Sequence, residues 1–133
     1  MVLMRGHGRG RFGGQRRGRY MLRPTLLMLM HEGPAHGYDM LERLGAFGME
    51  GIDPSLIYRA LRDMEAEGLI RSQWEEEQTQ GPPRRVYSLT KLGDQSLREH
   101  MQDLMTTRQR IDQLMDAFDQ HMDDHHNHLK GEK

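Results

Sequence analysis

This 133-residue sequence contains no cysteine. Disulfides, thiolate metal sites and cysteine nucleophiles are therefore excluded, and a reducing compartment suits the chain. Nor is there an apolar run near the roughly 20 residues that a membrane-spanning helix requires. The basic start leads into Gly and Arg rather than a long apolar segment, unlike a secretory signal, so a cytoplasmic protein is expected. Catalytic signatures are missing as well. There is no HExxH, no phosphate-cradling glycine loop followed by Lys, and no Ser-His-Asp set stands out. The sequence predicts no enzyme and calls for no cofactor.

The formal net charge is only −1, but it is unevenly spread. Residues 1–19 carry six arginines (Arg5, Arg9, Arg11, Arg16, Arg17, Arg19) and no acid. Asp112, Asp116, Asp119, Asp123, Asp124 and Glu132 crowd the other end. A polyanion would meet the N-terminal part and avoid the C-terminal part.

Residues 1–19, rich in Gly and Arg and without periodicity, are expected to form a disordered arm. Leu22, Leu26, Leu27, Leu29 and Met30 predict a first helix ending at Gly33-Pro34. A second helix is expected from about His36 to Phe47, with Tyr38, Leu41 and Leu44 on its apolar face. Asp53-Pro54 is a strong helix start, since Asp caps free N–H groups and Pro suits the first helical position. The third helix then runs to about Glu67, with Ile57, Ala60, Leu61 and Met64 facing the core. A hairpin follows, Leu69–Glu75 and Arg84–Leu89, around a long polar loop containing Gln78, Gln80, Gly81, Pro82 and Pro83. Thr90 can cap a last helix from Lys91 to about His126.

Three helices and a two-stranded wing make a mainly α fold with a small β-hairpin. This is a winged helix-turn-helix followed by a long C-terminal helix. The expected divisions are an arm at 1–19, a DNA-binding domain at 20–90, a dimerisation helix at 91–126 and a flexible tail at 127–133.

The segments Gly33-Pro34-Ala35-His36-Gly37-Tyr38, Ser55-Leu56-Ile57-Tyr58-Arg59-Ala60-Leu61, Glu67-Gly68-Leu69-Ile70 and Gly81-Pro82-Pro83-Arg84-Arg85-Val86-Tyr87-Ser88-Leu89-Thr90 occur in order. Together they resemble the PadR family of bacterial transcriptional regulators over about residues 22 to 120. The resemblance implies a dimeric winged-helix DNA binder, usually a repressor, that dimerises through C-terminal helices. The single long C-terminal helix is similar to the short-tailed branch. The arginine arm and the His-rich end are not parts of the family pattern.

On the third helix, Ser55, Tyr58, Arg59 and Arg62 fall on the face away from Ile57, Leu61 and Met64. Such a face can enter a major groove, where Arg can grip guanine with two hydrogen bonds. From the pattern alone it could equally be a solvated face, with Arg59 paired to Asp63. Arg84 and Arg85 begin the second wing strand and point to opposite faces, so one can meet phosphate while the other braces the strand. The neighbouring Glu75, Glu76 and Glu77 would repel DNA if they shared that face. In the arm, Arg16, Arg17 and Arg19 could lie along phosphates or enter a minor groove. The alternatives are a solubilising tail or, from Arg9-Gly10-Arg11-Phe12-Gly13-Gly14, an RNA-binding segment.

Leu97, Met101, Leu104, Arg108, Ile111, Met115, Phe118 and Met122 alternate by four and three residues. This spacing describes a coiled-coil seam meeting a twin, or packing on the same subunit. The 12 methionines and the family resemblance imply room for a small aromatic effector. Trp74 is expected to pack the wing base. His121 and His125 are one helical turn apart, as are Asp124 and His128. These pairs leave open a metal- or ligand-binding sensor module with incidental DNA contact, or a frayed, solvated helix end.

Overall fold

The computed structural model describes residues 21–75 and 84–131, with side chains of the last helix through residue 126. Residues 21–31 form α1, which buries Leu22, Leu26, Leu27, Leu29 and Met30. The chain breaks at Gly33-Pro34 and enters a two-residue strand, β1 (Ala35–His36). The helix expected from His36 to Phe47 is split in two. It becomes α2 (Gly37–Arg43) and a 3₁₀ turn over Leu44–Phe47. His36 is extended (φ −82°, ψ 153°) and caps α2 rather than joining it. The buried face also differs from the one expected. Met40 and Leu44 are fully buried, Leu41 is half-buried, and Tyr38, expected inside, is 58% exposed.

Helix α3 (Pro54–Ala66) buries Ile57, Leu61 and Met64, as its periodicity predicts. Strands β2 (Ile70–Trp74) and β3 (Arg85–Leu89) form the wing. β1 adds to it, giving a three-stranded antiparallel sheet in the order β1-β3-β2. The register pairs Ile70 with Leu89, Ser72 with Tyr87 and Trp74 with Arg85. Alternation therefore places these six residues on one face. Ile70 and Tyr87 bury the base of that face in the core, whereas Trp74 and Arg85 lie exposed toward its far end.

Helix α4 (Lys91–Gly131) extends past the end expected near His126. Its start is tied to the turn before the wing. The Thr90 N–H donates to the Leu69 carbonyl at 3.1 Å. The Thr90 hydroxyl accepts from the Gly93 N–H at 3.0 Å and lies 2.7 Å from the Gly68 carbonyl, to which it can donate. Gly93 is pressed so closely to this turn that a Cβ there would lie 2.0 Å from the Leu69 carbonyl oxygen and 2.7 Å from Leu89 Cδ1.

The chain forms two compact units that divide between Arg98 and Glu99. Leu97, the first position of the seam, is buried in the core of the first unit. In the second unit the helix exposes Met101, Ile111, Met115, Phe118 and Met122, and Leu104 is half-buried. Met105 and Leu114, off the seam, are exposed as well.

The Gly93 contact yields a direct test. Gly93→Ala should destabilise the protein by about 3 kcal/mol or more, because the carbonyl it meets is backbone and cannot swing away. Urea unfolding of the two proteins measures the difference; a loss smaller than about 1 kcal/mol would contradict the packing described.

Candidate nucleic-acid interface

The site is built on α3. Asp53 caps this helix by accepting from the Ser55 N–H at 2.9 Å, and Pro54 takes the first position. That backbone hydrogen bond, followed by the Ser55 side chain and the nearby charge of Arg59, holds the Asp53 carboxyl below its usual range. With Ile57, Leu61 and Met64 committed to the core, Ser55, Arg59 and Arg62 form an exposed stripe at spacings of four and three. Arg59 and Arg62 make no ion pair among the described residues. The pairing of Arg59 with Asp63 that the sequence allowed is therefore not made.

Tyr58 sits beside this stripe and is 38% exposed. Its ring packs on the start of α2, where a Cβ on Gly37 would come within 2.7 Å of Tyr58 Cε1. Gly37 thus makes room for the ring and fixes where its hydroxyl stands. That role was hidden in the sequence, where Gly37 reads only as part of a turn motif.

A chain of polar contacts connects α3 to the wing. The Glu65 carboxylate accepts from the Ser72 N–H at 3.2 Å and from its hydroxyl at 2.8 Å. Arg85 in turn donates to Ser72 Oγ at 3.0 Å, and its guanidinium lies 4.5 Å over the Trp74 ring. Burial beneath this chain pushes the Tyr87 phenol up, with the charge of Arg85 opposing it. Of the two wing arginines, Arg85 is the braced one. Trp74 does not pack the wing base as expected: it is 55% exposed and carries Arg85.

Arg84 is exposed on the opposite face of the sheet, 3.9 Å from Glu75. Glu75 is engaged there by His36 Nε2 at 3.1 Å, while His36 Nδ1 faces Asp39 at 3.2 Å. The acid Glu75 thus stands on the face away from Trp74 and Arg85, which removes it from their side. Glu76, Glu77 and the loop to Pro83 lie outside the described residues.

On the other flank, Arg23 of α1 grips Glu67 with two hydrogen bonds of 3.0 and 2.7 Å. Arg23 and Leu22 line an open cleft of about 200 Å³ together with Leu56, Arg59, Ala60 and Asp63. The first described turn of α1 therefore stands beside Arg59. Arg16, Arg17 and Arg19 lie outside the described residues.

At the far end of α4, the His121 and His125 rings stack with centroids 6.3 Å apart, and Asp124 accepts from Gln120 at 3.1 Å. The described residues contain no group of three or more His, Asp or Glu arranged to hold a metal ion. The side chain of His128 is outside them.

A sequence model of the PadR-like transcriptional regulator family matches residues 26–99. The chain belongs to that family. Its members are transcriptional regulators, not enzymes. Among solved structures, a PadR family transcriptional regulator from Eggerthella lenta is 27% identical, covering 75% of this chain and 86% of its own, with a TM-score of 0.65. A protein described as a potential transcriptional factor is 34% identical, covering 76% and 90%, with a TM-score of 0.66. Bacillus subtilis PadR, solved in complex with operator DNA, is 26% identical, covering 61% of this chain and 46% of its own, with a TM-score of 0.54. No curated protein sequence matches the chain.

The cap of the PadR-like helix α3 predicts a pH dependence. A depressed carboxyl stabilises the folded state above its unfolded value, about 3.9, and that contribution is lost as pH falls through the lower folded value. Asp53→Ala should therefore melt below the wild type at neutral pH, and the gap should close as pH drops below about 4. Thermal unfolding followed by circular dichroism at several pH values measures it; a gap independent of pH would contradict the cap.

Proposed function

We infer that this chain is a homodimeric, sequence-specific DNA-binding regulator that reads duplex DNA through α3 and represses transcription. The observation that carries the reading is the stripe of Ser55, Arg59 and Arg62. It is exposed and opposite the buried face of the helix, and its two arginines make no ion pair among the described residues. Arg can hydrogen-bond guanine through two donors, and Ser and Tyr suit phosphate or base edges. The Bacillus subtilis relative bound to operator DNA supports a DNA partner for the same fold. Arg84 and Arg85 would add phosphate contacts from the wing. The position of α1 beside Arg59 supports Arg16, Arg17 and Arg19 as further contacts to phosphates or an adjacent minor groove.

The apolar stripe of Met101, Leu104, Ile111, Met115, Phe118 and Met122 supports dimerisation. Large side chains left to water at seam spacing are best covered by the same helix of a second copy. A two-fold dimer reads a two-fold operator with half-sites about 34 Å apart. Release by a small aromatic effector completes this reading and rests on the family resemblance and the methionine content. Among the described residues no helix is long and apolar enough to cross a membrane.

Replacing Arg59 and Arg62 together by Ala should test the reading helix. The wild type should prefer its operator over random duplex by about a thousandfold or more, and the double variant should lose that preference while keeping weak, salt-sensitive binding. Competition anisotropy measures both. Specificity that survives the double substitution would remove α3 from its assigned role.

A further inference from the structure

The wing presents a feature that neither the expected packing role of Trp74 nor a simple phosphate contact by arginine explains. Trp74 is the only tryptophan of the chain, and 55% of it is exposed. Such a large ring costs free energy when left in water, so its exposure is informative. It lies at the end of β2, on the sheet face whose base packs into the core. Among the described residues its indole N–H has no acceptor. The ring holds the Arg85 guanidinium at 4.5 Å, and Ser72, itself held by Glu65 of α3, fixes that guanidinium from the side. An arginine ordinarily loses rotamer freedom on binding; this one is already ordered. One of its N–H groups is used by Ser72, which leaves others to donate.

We propose that Trp74 and Arg85 form one preassembled contact to the DNA sugar-phosphate backbone. The indole N–H and the free guanidinium N–H groups donate to phosphate oxygens beside the groove that α3 occupies. Trp74 has two parts in this: a donor of its own and the platform that aims Arg85. Because backbone contacts carry no base information, the pair sets register and affinity rather than sequence preference. The proposal rests on the duplex-binding reading above.

The 133-residue chain would be titrated with a labelled duplex from the DNA upstream of its own gene and, separately, with a random duplex. Duplex anisotropy and tryptophan emission would be read in the same samples, since all the emission comes from Trp74. Emission should change along the same isotherm as anisotropy, and the complex should protect Trp74 from acrylamide quenching. Trp74→Phe keeps a ring under Arg85 but removes the donor, and should weaken binding to both duplexes by about fivefold. Trp74→Ala removes both and should weaken both by about tenfold or more. Arg85→Ala should lower the salt slope by about one. Thermal unfolding of each variant identifies any that fails to fold, and the wild-type acrylamide measurement stands independently of them. Binding by anisotropy with full acrylamide access to Trp74 would overturn the contact and leave the duplex reading intact. No anisotropy change with either duplex would overturn both.

Discussion

The structure depends on the burial of Ile57, Leu61 and Met64 along one side of α3, where none of the three retains exposed surface. Burying such side chains stabilises the fold by about 1.5–3 kcal/mol each. An unpaired arginine in the same place would be costly, since a charge taken from water needs a partner. The rotation of the helix is therefore fixed. Ile57, Leu61 and Met64 face inward, so Ser55, Arg59 and Arg62 face outward. Asp53 and Pro54 fix where the helix begins, and hence which residues fall on each side.

The wing is positioned by a second set of contacts that begins on the same helix. Glu65, on a flank of α3, holds Ser72, Ser72 holds Arg85, and Arg85 rests on Trp74. At the base, Thr90 and Gly93 lock the start of α4 to the carbonyls of Gly68 and Leu69, which immediately follow α3. Helix, wing and the first turns of α4 thus share short, direct links. That is the arrangement expected if a basic face must keep its shape before it meets DNA, because contacts ordered in advance cost less on binding.

Much of this was legible in the residues. The Asp-Pro start and the regular recurrence of Ile57, Leu61 and Met64 predicted α3 and its outward face. The polar loop with Gly81, Pro82 and Pro83 marked the two wing strands on either side of it, and Thr90 predicted the next helix. Other features were not legible, for physical reasons. β1 is two residues long, too short to have a period, and it exists because β3 offers it an open edge. Tyr38 reads as a core residue, yet α2 turns Gly37 and Met40 inward and leaves Tyr38 on its outer side. Gly93 reads as a flaw in a helix until the Leu69 carbonyl is seen against it. Trp74 reads as core because tryptophan usually is, and only the register with Arg85 shows that it lies beyond the buried base of the sheet. Leu97 shares the period of the seam, yet the first unit ends just after it and claims its side chain.

The central claim is that α3 selects a DNA sequence, and wild-type protein alone can test it. Labelled duplex from upstream of its own gene would be titrated at moderate salt against excess random duplex, with anisotropy as the readout. The account predicts tight binding that survives about a thousandfold excess of competitor. Binding that random duplex removes in proportion to its concentration, whatever upstream segment is tried, would contradict it and leave only a non-specific basic surface.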